Sequence, residues 1–98
     1  MIVEMRTYTI KPGRLHDFIK IYNTEIRETH IKILGNQLGF FYSEFGALNQ
    51  VVHLYGYDSH DDRDKRRKIL AQNENFKNYV KKAASLISTQ TSQLLIPT

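Results

Sequence analysis

The chain has 98 residues, carries a net charge of +4 and contains no cysteine. That length holds one domain, residues 1–98, with a modest core. The missing thiols exclude a disulfide framework, thiol catalysis and a zinc–thiolate centre, and the six tyrosines and five phenylalanines exclude a disordered chain.

Met1-Ile2-Val3-Glu4 carries no basic leader and runs straight into patterned sequence, so no signal peptide is expected. No segment approaches the ~18 apolar residues of a membrane span. A cytoplasmic domain is the expectation, and the lack of cysteine fits a reducing compartment. Much of the positive charge lies in Arg63, Lys65, Arg66, Arg67 and Lys68, flanked by Asp58, Asp61, Asp62 and Asp64. Such mixing describes a solvated helix laced with ion pairs, not a nucleic-acid or acidic-lipid patch.

Residues 2–10 alternate as a strand, with Val3, Met5 and Thr7 on one side and Ile2, Glu4, Arg6 and Tyr8 on the other. Lys11-Pro12-Gly13 ends it. Leu15, Phe18, Ile19, Tyr22, Ile26 and Ile33 then recur at helical spacing, which predicts one helix over about 13–34, stopped by Gly35 and Asn36. A strand over 40–45, a turn at Gly46-Ala47-Leu48-Asn49 and a strand over 50–57 make a hairpin. Asp58 or Ser59 caps a helix over about 60–71, and Asn73-Glu74-Asn75 interrupts it. A further helix over about 75–88 and a last strand over 91–96 complete the chain. The order is the α+β, ferredoxin-like βαββαβ pattern: a four-stranded antiparallel sheet with helices on one face.

Alternation assigns Val3, Met5, Val52 and Leu54 to the helix-packed face. Glu4, Arg6, Tyr8, His53, Tyr55 and Tyr57 then share the bare face, joined by Phe40, Tyr42 and Glu44 or by Phe41 and Phe45. A surface so aromatic needs a cover. A second copy related by a two-fold axis is the simplest one, making a homodimeric α+β barrel with a partly polar interior. A monomer with an amphipathic open face is the alternative.

The runs Glu4-Met5-Arg6-Thr7-Tyr8, Lys11-Pro12-Gly13, Gly39-Phe40-Phe41 and Val51-Val52-His53-Leu54-Tyr55-Gly56-Tyr57 resemble the NIPSNAP family signature. So do Gly46, Arg63, Arg67 and Ile96-Pro97. Tyr55 stands where members commonly carry tryptophan. The resemblance implies a dimeric α+β barrel, in a superfamily that also holds cofactor-free monooxygenases and isomerases. It implies no established reaction.

Glu4 and Arg6, two apart on one strand face, form either a structural ion pair or an anion clamp, with Tyr8 adding a hydroxyl; Glu44 is another partner for Arg6. His53 is the acid–base candidate, weighed against a satisfied histidine in a packed sheet. Tyr55 and Tyr57 share its face. His16, His30 and His60 lie on other elements, so no metal site is expected. Arg63 and Arg67, four apart, share a helix face and either line a pocket mouth or pair with aspartates; Asp62 and Arg66 form an ordinary i,i+4 pair. Glycine-rich phosphate loops and nucleophile elbows are absent. Two functions are compatible with this set. One is a homodimeric module, without a cofactor, for a small acidic or aromatic ligand or a protein partner. The other is a cofactor-independent monooxygenase or isomerase with His53 as base, acting on an aromatic or polyketide-like substrate.

Overall fold

In the computed structural model, which describes all 98 residues, strand β1 (Ile2–Ile10) lies inside a four-stranded antiparallel sheet. The chain continues through α1 (Leu15–Glu25), α2 (Arg27–Leu34), β2 (Asn36–Tyr42), β3 (Gln50–Tyr57), α3 (His60–Gln72), α4 (Glu74–Ala83), a 3-10 turn (Ala84–Leu86) and β4 (Ile87–Leu95). The sheet order β2-β3-β1-β4 is the ferredoxin-like topology that the sequence predicts.

The predicted long first helix is two helices. Thr24 donates its hydroxyl to the Lys20 carbonyl at 2.8 Å, a back-bond that bends helices. Two residues on, Ile26 leaves helical geometry at φ −139° while its buried side chain stays in the core. The bend brings separate turns of this segment within bonding range. Eight residues of straight helix rise about 12 Å, yet Tyr22 and His30 meet across the break, hydroxyl to Nδ1, at 2.8 Å.

Gly35 ends α2 at φ +94°, a conformation that side chains resist. Arg66 covers this end by donating to the Ile33 carbonyl at 3.1 Å, while its Nε holds Asp62 at 2.9 Å. Ser59 caps α3 by accepting from the Asp62 backbone N–H, and Asn73 caps α4 by accepting from that of Phe76. Asn73 thus divides the two C-terminal helices, as expected. The second of them is shorter than predicted, and β4 begins four residues earlier.

Strand β2 begins at Asn36 and carries an irregularity between Gln37 and Gly39. Gln37 pairs with Tyr55 and Phe40 with His53. Residues three apart on a regular strand point to opposite faces; the extra residue lets both side chains reach the same one. Glu44 lies in the exposed loop beyond the strand and does not pair with Arg6.

The largest correction concerns the faces of the sheet. Glu4, His53, Tyr55 and Tyr57 are buried, and they are buried beneath this chain's own helices. Ile2, Leu34, Tyr55, Tyr57 and Leu70 form one apolar cluster there; Ile10, Phe18, Val51, Ala83 and Leu86 form a second. Glu4, His30 and His53 are buried as a polar middle. The bare face carries Val3, Met5, Val52, Leu54 and Phe41 instead, and Phe41 is 57% exposed. The polar strand face needs no twin subunit to cover it, because the helices supply the partners.

A cavity between sheet and helices

The polar middle has two parts. The first is an ion cluster around the fully buried Glu4. Arg63 of α3 grips its carboxylate with two parallel bonds, Nε to Oε1 at 3.0 Å and Nη2 to Oε2 at 3.1 Å. Arg6 donates from Nη1 at 3.0 Å and Ser92 of β4 donates its hydroxyl at 2.6 Å. Burial alone would raise the Glu4 pKa, but Arg63, Ser92 and Arg6 prevail and lower it from 4.5 to about 2. Arg6 also donates from Nε to the Tyr8 hydroxyl at 3.0 Å. Its own pKa rises, because Tyr8 and Glu4 outweigh its desolvation.

The second part is a hydroxyl–imidazole network centred on Tyr55. Its hydroxyl lies 2.9 Å from His53 Nδ1, 2.8 Å from His30 Nδ1 and 3.2 Å from the Tyr22 hydroxyl. Gln37 Nε2 donates to both tyrosine oxygens, at 2.9 and 3.1 Å. Burial, followed by His30, Arg6 and Arg27, lowers the His53 pKa to about 3. Burial, Arg67 and Arg6 lower that of His30 to about 4. Both imidazoles are neutral at pH 7. Burial pushes the Tyr22 and Tyr55 hydroxyls up, so they remain protonated donors.

A cavity of about 370 Å³ adjoins both parts. Arg6, Tyr8 and His53 of the sheet line it, with Tyr22 of α1, His30 of α2 and Arg67 of α3. Phe76, Tyr79, Val80 and Ala83 of α4 and residues 87–90 of β4 close the rest. His30 stacks on Phe76 with ring planes 3° apart. No aspartate or glutamate lines the wall. Arg67 forms no ion pair with any carboxylate.

Of the residues that the sequence singles out, Arg6, Tyr8, His53 and Arg67 line this cavity. Glu4 and Arg63 stand behind Arg6 and fix it, Tyr55 stands behind His53, and Tyr57 is buried with its hydroxyl unpartnered near Arg67 and Arg63. Arg63 and Arg67 therefore part company: one is committed to Glu4 and Asp64, and the other pairs with no carboxylate and lies beside the Tyr57 hydroxyl. Sequence reasoning missed Tyr22, His30, Gln37, Ser92, Phe76 and Tyr79 as site residues. Tyr22, Phe76 and Tyr79 sit at helical core spacing, and nothing local marks His30 as a partner of His53.

Fold and cavity together define a ferredoxin-like α+β domain with a cationic, aromatic chamber under its helices. The chain belongs to the NIPSNAP family, whose profile matches residues 3–98. It is 36% identical over 94 residues to a NipSnap homolog of Dictyostelium discoideum and 29% identical over 100 residues to human NipSnap homolog 3A. Each alignment covers 96% of this chain but only 41% and 39% of those proteins, so the chain spans about two-fifths of their length. A NIPSNAP family crystal structure from Agrobacterium tumefaciens superposes with a TM-score of 0.96 at 36% identity, covering 99% of this chain and 92% of that one. A structure described as an antibiotic biosynthesis monooxygenase superposes at 0.69 with 14% identity, covering 100% and 99%, and shares the fold. No helix is long and apolar enough to cross a membrane.

The depressed histidine pKa values set a pH window. From the unfolded value of 6.5 down through about 4 and 3, the unfolded chain binds protons that the folded one refuses, so stability falls as pH falls. Glu4 adds to the loss only below its unfolded 4.5. The expected melting temperature is flat from about pH 7 to 9, below the range in which the buried tyrosine hydroxyls resist ionisation, and declines steadily from pH 6.5 to 4; a flat profile across that lower interval in a thermal melt contradicts the network.

Proposed function

We propose that this domain is a homodimeric binding module whose cavity holds a small aromatic acid. The observation that carries the reading is a wall that holds Arg6, aromatic rings and Arg67, which has no carboxylate partner, and that holds no carboxylate of its own. Arginine forks match carboxylate geometry, and a half-buried fork is worth more than one in open water. At about 370 Å³ the cavity lies near the lower end of small-molecule sites. Tyr79 and Phe76 offer ring faces to the apolar part of the ligand. The cysteine-free chain suits a reducing compartment, and the reading keeps the domain in the cytoplasm.

The homodimer belongs to the same reading, on the face opposite to the one that the sequence suggested. Val3, Met5, Val52, Leu54 and Phe41 form a contiguous apolar surface that no helix covers. Two such surfaces packed across a two-fold axis make the α+β barrel, with the ligand cavities outside the seam.

A second reading, a cofactor-independent oxygenase or isomerase with His53 as base, draws on the cavity reaching His53. A base poised far below the working pH is a weak one, and His53 stands near 3. The binding module is therefore the stronger reading.

Three measurements test these statements. Titration with 2-naphthoate should show binding that weakens at least ~10-fold in Arg67→Ala, with an unchanged melting temperature; equal binding of the uncharged 2-naphthylmethanol overturns the acid reading. Sedimentation should give a dimer that Met5→Glu converts to folded monomers, and a monomeric wild type removes the barrel. Oxygen-dependent or isomerising turnover of an aryl substrate that is lost in His53→Gln would displace the binding module in favour of the enzyme.

A further inference from the structure

The cavity has a direction, set by the way α4 lies over the sheet. Phe76, in the first turn of α4, packs on the cluster that holds Ile2, Leu34 and Tyr57. Ala83, the last residue of α4, belongs to the cluster that holds Ile10 and Val51. The helix therefore runs alongside β1 in the same sense, from the Ile2 end to the Ile10 end. Both arginines lie toward the first end. Arg67 is beside the Tyr57 hydroxyl and one turn before Leu70 of the first cluster, and Arg6 is held by Glu4. Past Tyr8 the wall becomes Val80, Ala83, Ala84 and Ile87, with no charged group among them. From Phe76 to Ala83 the helix rises about 10 Å, and from Arg6 to Ile10 the strand rises about 14 Å. The cavity is thus longer than it is wide, cationic at one end and apolar at the other. The ends also differ in exposure. Tyr22, His30 and His53 are buried, whereas Val80, Ala84 and Ser88 are exposed. Strand β4 packs chiefly on β1, and α4 chiefly on the other helices. The gap between α4 and β4 is the mouth.

We propose that the cavity takes rod-shaped aryl acids, with the carboxylate inward at Arg6 and Arg67 and the far end at the α4–β4 mouth, where Ala84 sets the length that fits. This rests on the proposal that the cavity binds an acid. The orientation follows from charge. An acid entering tail-first places its carboxylate against Val80, Ala84 and Ile87, where no cation receives it, and covers the guanidinium groups with apolar surface. Entering acid-first, it meets the arginine forks and lays its rings along Phe76 and Tyr79. The shape follows from the channel. A straight acid extends past Tyr8 toward Ile87, whereas a bent isomer of equal charge and apolar area turns its second ring into the wall. Ala84 is the small, exposed residue at which the α4 side of the wall ends. A bulky side chain there fills the mouth without entering the core.

The test compares two isomers, the straight biphenyl-4-carboxylate and the bent biphenyl-2-carboxylate, by calorimetric titration. The wild-type protein should bind the straight isomer ~10-fold tighter. In Ala84→Trp that preference should shrink to ~2-fold or less, because the mouth is filled. Should Ala84→Trp fail to fold, amide NMR of the wild type serves instead: the Ala84 and Ser88 backbone resonances should move with biphenyl-4-carboxylate and hold still with the shorter benzoate. Equal affinity for the two isomers, a preference that survives Ala84→Trp, or unmoved Ala84 and Ser88 resonances overturns this inference and leaves the acid-binding reading intact. Failure of both isomers to bind, or equal binding of the uncharged biphenyl-4-methanol, overturns both.

Discussion

The buried carboxylate of Glu4 is the constraint on which the site depends. It ties α3 to the sheet through Arg63, β4 to β1 through Ser92, and it fixes the direction of Arg6. A lone carboxylate in that place would be prohibitively costly to desolvate. Two guanidinium groups and a hydroxyl make it tolerable, and the depressed pKa is the measure of their success. Two guanidinium groups face this one carboxylate, and Arg63 also reaches the exposed Asp64 at 3.3 Å, so the cluster is balanced overall. On the cavity side, however, only Arg6 and Arg67 are presented, with no carboxylate on the wall. The electrostatic character of the cavity thus owes part of its sign to the way the helices are fastened to the sheet.

The hydroxyl–imidazole network follows a different rule. Its members are neutral, and burial keeps them so. Hydrogen bonds among neutral groups need no counter-charge but do need complete pairing. Around Tyr55 the pairing is dense, with two imidazoles, an amide and a second hydroxyl on one oxygen. It stops at His53 Nε2, which has no hydrogen-bond partner and lies among the Tyr8, Tyr22 and Phe40 rings. Such a network is rigid, so the cavity wall that it backs is ordered in folding.

How much of this was legible in the sequence depends on the range of the interaction. The bounds of β1 and β3 were readable because alternation and the Pro12-Gly13 and Asp58-Ser59 breaks are local. The pairing of Glu4 with Arg6 was readable because two residues separate them. The orientation of the sheet was not. The rule that polar strand residues face away from the helices fails when the helices themselves carry Tyr22, His30 and Arg63 inward, and those partners lie up to 59 positions away. The phase of β2 was hidden by its irregularity near Leu38, which puts Gln37 and Phe40 on one face against the period of two. The break at Ile26 was hidden too, since Ile26 fits the apolar stripe as well as it fits the bend.

Tyr55 connects these threads. It stands where the family pattern commonly has tryptophan, and a ring of either kind fills the core beside Leu34 and Leu70. Only the tyrosine places a single oxygen within reach of both imidazoles and of the Tyr22 hydroxyl. An indole carries one N–H donor and no acceptor, so it cannot receive the Gln37 proton and pass its own to His53. The network seen here is therefore specific to a chain with a hydroxyl at this position. The ion cluster around Glu4 makes no such demand, since none of its bonds involves Tyr55. The charge of the cavity wall and the order of its imidazoles are consequently separable features, the first set in part by residues that fasten helix to sheet and the second by one phenolic oxygen in the core.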